Sequence, residues 1–115
     1  MKYLNTFLND ENLQDLKDDY LAIKEAVKKQ GIEFNDTEEY VFSNHIVCLL
    51  KRLKNNEFIE DIDASLMNEV DAECLEKARV CIAPAFEKYG HEMNQSELFL
   101  VSTHIQMNAN RLKEE

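Results

Sequence analysis

The sequence predicts an all-α fold, a compact five-helix bundle of four longer helices and one short one. Three observations carry that prediction. Only two glycines and one proline occur in 115 residues, too few for the tight turns of an all-β chain. Apolar residues recur at spacings of three and four along most of the chain. Capping-box patterns, Asp36-Thr37-Glu38-Glu39 and Asn94-Gln95-Ser96-Glu97, stand where two of those stripes begin. With 44% of residues hydrophobic, the chain reads as one domain, residues 1–115, able to bury a core.

The first helix is expected to start at a cap on Asn9 or Asp10 and to run to about Gln30, with Gly31 ending it. Leu13, Leu16, Tyr20, Ile23 and Val27 form its stripe. In the second, Asp36 caps and Glu39 reaches back. The helix runs to about Leu53 or Asn55, with Phe42, His45, Ile46, Leu49 and Leu53 on the buried face and Asn55-Asn56 as the stop. Residues 58–63 make an acidic connector, followed by a short helix near Ala64 to Val70. Asp71 then caps a helix with Leu75, Ala78, Ile82, Phe86 and Tyr89 as its stripe, a kink expected at Pro84, and Gly90 at its end. Asn94 caps the last helix, which extends to about Leu112 on Leu98, Val101, Ile105, Ala109 and Leu112.

Charge narrows the functions. The net charge of -10 repels phosphate backbones, so direct nucleic-acid binding is disfavoured. The basic run Lys51-Arg52-Leu53-Lys54 ends a helix, where the dipole favours cations without any ligand. Three cysteines, Cys48, Cys74 and Cys81, contain no C-x-x-C pair and read as reduced, mostly buried thiols. Met1 to Asp10 lacks the apolar run of a secretory signal, and no stretch approaches membrane-spanning length, so a cytoplasmic location is expected.

No G-x-x-x-x-G-K loop, H-E-x-x-H or G-x-S-x-G elbow is present, so an enzyme of an ordinary kind is not expected. What remains is histidine. His45 and His104 each lie mid-helix among apolar neighbours, and taken singly each reads first as a hydrogen-bonded core residue. His91, beside Gly90, reads as an exposed dipole partner. Arg52 follows His45 by seven residues, which returns it to nearly the same face two turns on. It suits a neutral, nucleophilic imidazole that later carries a phosphoryl group, and it equally suits pairing with a local carboxylate. Glu97 and Arg111 flank His104 at the same interval. The simpler reading is that Glu97 only closes its capping box and Arg111 only decorates the helix end. A zinc or iron site on His45, His104 and a cysteine such as Cys48 or a carboxylate is disfavoured: Phe42 and Val101 stand where bundle di-metal sites place Glu three residues before His.

Ser43-Asn44-His45-Ile46-Val47-Cys48-Leu49-Leu50-Lys51-Arg52 resembles the first histidine motif of PTS regulation domains, Asp-His-Ile followed by apolar residues and an Arg. Glu97-Leu98-Phe99-Leu100-Val101-Ser102-Thr103-His104-Ile105 resembles the second, a Glu followed seven residues later by His. The similarity runs from about Asp10 to Ala109. It implies a five-helix bundle that dimerises, with His45 and His104 accepting phosphoryl groups from the phosphocarrier protein HPr or from sugar-permease components. Arg52, Asn44 and Glu97 fall at positions that would pair with the phosphoryl group or orient the rings, and no cofactor is implied. Asn44 departs from the usual Asp, which removes a carboxylate beside His45. With one domain, the chain resembles the short stand-alone members.

Three functions follow. The first is a regulatory module in which phosphorylation gates association by charge and controls carbohydrate-related gene expression or a partner's activity. The second is a binding module that keeps the fold without phosphorylation and holds a small molecule or protein in the cleft between the histidine helices. The third is a small metal-dependent enzyme, which metal analysis of untagged protein would reveal.

Overall fold

The structure is a computed structural model; it describes residues 16–114, apart from residues 58 and 61 and the side chain of residue 64. Among the described residues there are four α-helices and one 3-10 helix: α1 (Lys17–Lys29), α2 (Asp36–Asn55), the 3-10 helix (Ala64–Glu69), α3 (Ala72–Lys88) and α4 (Gln95–Glu114). The all-α bundle predicted from periodicity is the observed one. The expected cap at Asn9 or Asp10, Leu13 and the connector residue Phe58 lie outside the described residues.

Each helix is bounded by local chemistry. At the end of α1, Gly31 takes a φ of +76°, its amide bonds the Lys28 carbonyl at 3.0 Å, and the Ile32 amide bonds that of Val27 at 3.3 Å. This is a Schellman ending, and the buried Ile32 and Val27 supply its apolar contact. The same motif ends α3. There Gly90 has a φ of +73°, its amide bonds the Glu87 carbonyl at 3.1 Å, and the His91 amide bonds that of Phe86 at 2.9 Å. Helix α2 stops at Asn56, which sits in the left-handed region at a φ of 57°.

Three terminal details differ from expectation. The capping box of α2 lies one residue earlier than Asp36/Glu39. Asn35 Oδ1 accepts from the Glu38 amide at 2.8 Å, and the Glu38 carboxylate accepts from the Asn35 amide at 2.9 Å. Asn35 has the extended backbone a cap requires, and Glu39 is drawn instead to Lys24 of α1 at 3.0 Å. Asp71 occupies the cap position of α3, yet makes no side-chain cap bond. Its carboxylate accepts from Gln106 of α4, so a tertiary donor replaces the local one. Third, α4 continues to Glu114, and Leu112, expected in its stripe, is 48% exposed.

The core gathers Tyr20, Ile23 and Val27 of α1, Phe42, Ile46, Leu49, Leu50 and Leu53 of α2, Cys74, Ala78, Cys81, Ile82 and Phe86 of α3, and Leu98, Val101 and Ile105 of α4. These are largely the predicted stripes, because burying one face of each amphipathic helix drives the assembly. Helix α3 continues through Pro84, which faces solvent. Cys74 and Cys81 are buried and Cys48 is exposed; all three are free thiols. Burial pushes the Cys81 thiol up to about 11, which leaves it inert at neutral pH. Among the described residues, no helix is long and apolar enough to cross a membrane.

Candidate functional site

Helices α2 and α4 run antiparallel, and three cross-helix pairs fix their register: Glu38 with Arg111, His45 with His104, and Arg52 with Glu97. Each step of seven residues forward on α2 is matched by seven backward on α4. Seven residues make nearly two whole turns, so all three pairs fall on one seam. The histidine layer sits in the middle.

His45 Nδ1 and His104 Nε2 lie 3.1 Å apart, a direct imidazole–imidazole hydrogen bond. The rings are tilted by 56° with centroids 5.2 Å apart. The edge of Phe42 meets His104 in a T-shaped contact, with centroids separated by 5.9 Å, so the ring is braced from the core side. Burial, joined by like-charge repulsion between the two rings, lowers the His104 imidazole to about 4, so it is neutral at physiological pH.

Two turns along the seam, Arg52 grips Glu97 in a two-point ion pair: Nε to Oε2 at 2.8 Å and Nη2 to Oε1 at 2.7 Å. The Glu97 side chain is only 4% exposed. Burial alone would raise its carboxyl, yet the facing His45 ring and the Arg52 guanidinium hold it below the usual carboxylate range. The same carboxylate stands 3.7 Å from His45 Nε2, a buried nitrogen without a hydrogen-bond partner. Glu97 therefore links the guanidinium to the imidazole pair. The expectation that it only closes the capping box is corrected: Asn94 does cap the Glu97 amide at 2.9 Å, but both carboxylate oxygens meet Arg52. Arg52 is paired as one reading anticipated, though with a carboxylate from across the bundle rather than from its own helix.

Asn44 is exposed, and neither nitrogen of His45 bonds to it. Arg111, expected to decorate the helix end, donates from Nε to Glu38 at 2.9 Å. Glu38 and Asn108, whose Nδ2 donates to the Glu33 carbonyl at 2.7 Å, were not singled out from the sequence. Glu38 precedes His45 by seven residues, so the interval that flagged Arg52 could have found it. His91 is only partly exposed and bonds through Nε2 to the Leu53 carbonyl at 3.0 Å, near the C-terminus of α2. It serves a helix end as expected, but that of α2, reached by folding.

Among the described residues, no group of three or more His, Cys, Asp or Glu side chains is arranged to hold a metal ion. A cavity of about 410 Å³ lies on α1 and the connector after it, lined by Leu21, Lys24, Val27, Ile32 and Phe34 among others; neither histidine lines it.

The chain is significantly similar to no curated protein and to no solved structure. The family model described as PRD domain matches residues 20–108, a span that holds both histidines, the Arg52–Glu97 pair and most of the four α-helices, with Arg111 just beyond it. By that match the chain belongs to the PRD domain family, the regulation domains of the phosphotransferase system.

Proposed function

We propose that this domain is a regulatory module whose imidazole pair, His45 and His104, accepts a phosphoryl group and thereby changes association with a partner. The observation that carries the reading is the 3.1 Å contact between the two histidines beside a buried arginine–carboxylate pair. A core histidine needs only one satisfied polar neighbour; two stacked against a charged pair concentrate nucleophilic and electrostatic groups at one place.

The donors are HPr or a sugar-permease component, and the outcome is control of carbohydrate-related gene expression or of a partner's activity. A phosphoryl group adds about -1.5 to -2 charges and strong acceptor oxygens. Arg52 stands one carboxylate away from His45, so the new anion competes with Glu97 for it. Val41 and Leu100, one turn before His45 and His104, are 45% and 36% exposed, and Met107 is 62% exposed. These apolar side chains beside the pair favour docking of a second copy in the unphosphorylated state. Added charge on a chain already at -10 then loosens that contact.

The test is incubation with phosphoenolpyruvate, enzyme I and HPr, followed by a search for acid-labile phosphohistidine and a measurement of molecular mass. Label on the wild type and none on the variant lacking both histidines is expected. An unlabelled wild type, with HPr itself phosphorylated, would discard the reading in favour of a binding module that has kept the fold.

A further inference from the structure

The two histidines are chemically unequal, and hydrogen-bond bookkeeping around them shows why. A neutral imidazole carries one N–H and one lone pair. His45 Nε2 faces the Glu97 carboxylate at 3.7 Å in a buried setting. Two electron-rich atoms facing each other there would repel, so the proton of His45 belongs on Nε2. Its Nδ1 is then an acceptor. The 3.1 Å contact requires one donor, which is His104 Nε2–H. One nitrogen is left with a lone pair and no hydrogen bond among the described residues, namely His104 Nδ1.

Access points the same way. At His45, Nδ1 is engaged and Nε2 is buried against a carboxylate that repels an anionic phosphoryl donor. At His104, Nε2 is engaged and Nδ1 is not.

We propose that His104 receives the phosphoryl group on Nδ1, and that His45 is a positioning residue which, oriented by Glu97 and Arg52, keeps that nitrogen unprotonated. This rests on the reading of the domain as a phosphoryl acceptor. In the transfer, the Nδ1 lone pair of His104 forms the new N–P bond to a phosphohistidine donor. The donor's N–P bond breaks, and its electron pair returns to the donor nitrogen. Positive character develops on the His104 ring, whose Nε2–H stays hydrogen-bonded to His45 Nδ1. His45 keeps its own proton on Nε2 toward Glu97, and Arg52 fixes that carboxylate in place.

The experiment is nitrogen-15 NMR of the full chain at mildly alkaline pH, which reads the tautomer of each ring, followed by labelling with phosphoramidate, a small chemical phosphoryl donor. Both rings are expected as Nε2–H tautomers, with the label on Nδ1 of His104. His45→Gln keeps an acceptor for His104 Nε2–H, whereas His45→Phe fills the space without one. Labelling should be largely kept in the first and fall about tenfold in the second, the loss expected for one directing hydrogen bond. A His104 ring protonated on Nδ1, a label on His45, an Nε2 phosphoryl isomer, equal rates in the two variants, or no label at all overturns the proposal. Label on His104 Nδ1 from phosphoramidate but none from HPr supports this assignment while removing the regulatory reading, so the two failures are distinct.

Discussion

At one end of the α2–α4 seam, Arg52 from α2 holds Glu97 from α4; at the other, Arg111 from α4 holds Glu38 from α2, with the charges exchanged between the helices. The histidine pair is equidistant in sequence from both. The ends nevertheless differ in use. Glu97 is 4% exposed and gives both oxygens to the guanidinium, so its remaining influence falls on His45. Glu38 is 14% exposed, and its carboxylate also receives the Asn35 amide and Asn108. That end ties down the start of α2. A given ion pair thus acts as a structural clasp where water and cap donors reach it, and as a field on its neighbours where they do not.

The comparison breaks most sharply at Glu97. Glu97→Ala leaves a half-buried guanidinium and an imidazole without their anion, and should cost about 3 kcal/mol in urea denaturation. A loss below about 1 kcal/mol would place this pair in the same class as the less buried Glu38–Arg111 pair.

Acid titration sharpens the central layer. The folded His104 titrates near 4 because burial, with like-charge repulsion between the two rings, disfavours its protonated form, against 6.5 for an ordinary histidine. Across that window the unfolded chain binds a proton that the folded chain does not. Stability therefore falls as pH drops from about 6.5 to about 4, by about 2 kcal/mol after discounting for partial solvent screening. Glu97, held below its usual range, contributes stability that is present above that range and lost on still further acidification. Urea midpoints at stepped pH should fall through the first window in the wild type and stay nearly flat there in His104→Gln.

The smallest effect belongs to the Glu38–Arg111 end. Arg111→Ala should cost about 0.5–1 kcal/mol, because the Asn35 amide and Asn108 still satisfy Glu38. Equal losses for Arg111→Ala and Glu97→Ala would erase the distinction between the two ends.

Local patterns identified the helices because the signals are local. The stripe through Tyr20, Ile23 and Val27, the paired glycines at helix ends and the Asn55-Asn56 stop each act within a turn or two of chain. Two overlapping box patterns compete at the start of α2; the Asn35/Glu38 one forms, and Glu39 pairs with Lys24 of another helix. Leu112 continues the apolar stripe of α4 yet is 48% exposed, because periodicity records which face is apolar and not how deeply each turn packs. At the site, the interval of seven marked His45, Arg52, Glu97, His104 and Arg111 as residues on shared faces. It could not say that the faces meet each other.

What the sequence determined by itself is the all-helical architecture, the two histidines and the arginine and glutamate in step with them, since side-chain periodicity is a property of one helix. Only the tertiary structure decided the partners. Packing α2 antiparallel to α4 turned two separate rows into cross-helix pairs and drew the Glu97 carboxylate to Arg52, while the Glu97 amide stayed capped by Asn94. It also made the two histidines unequal. Hydrogen-bond direction and burial depend on what lies across the interface, which no single helix encodes.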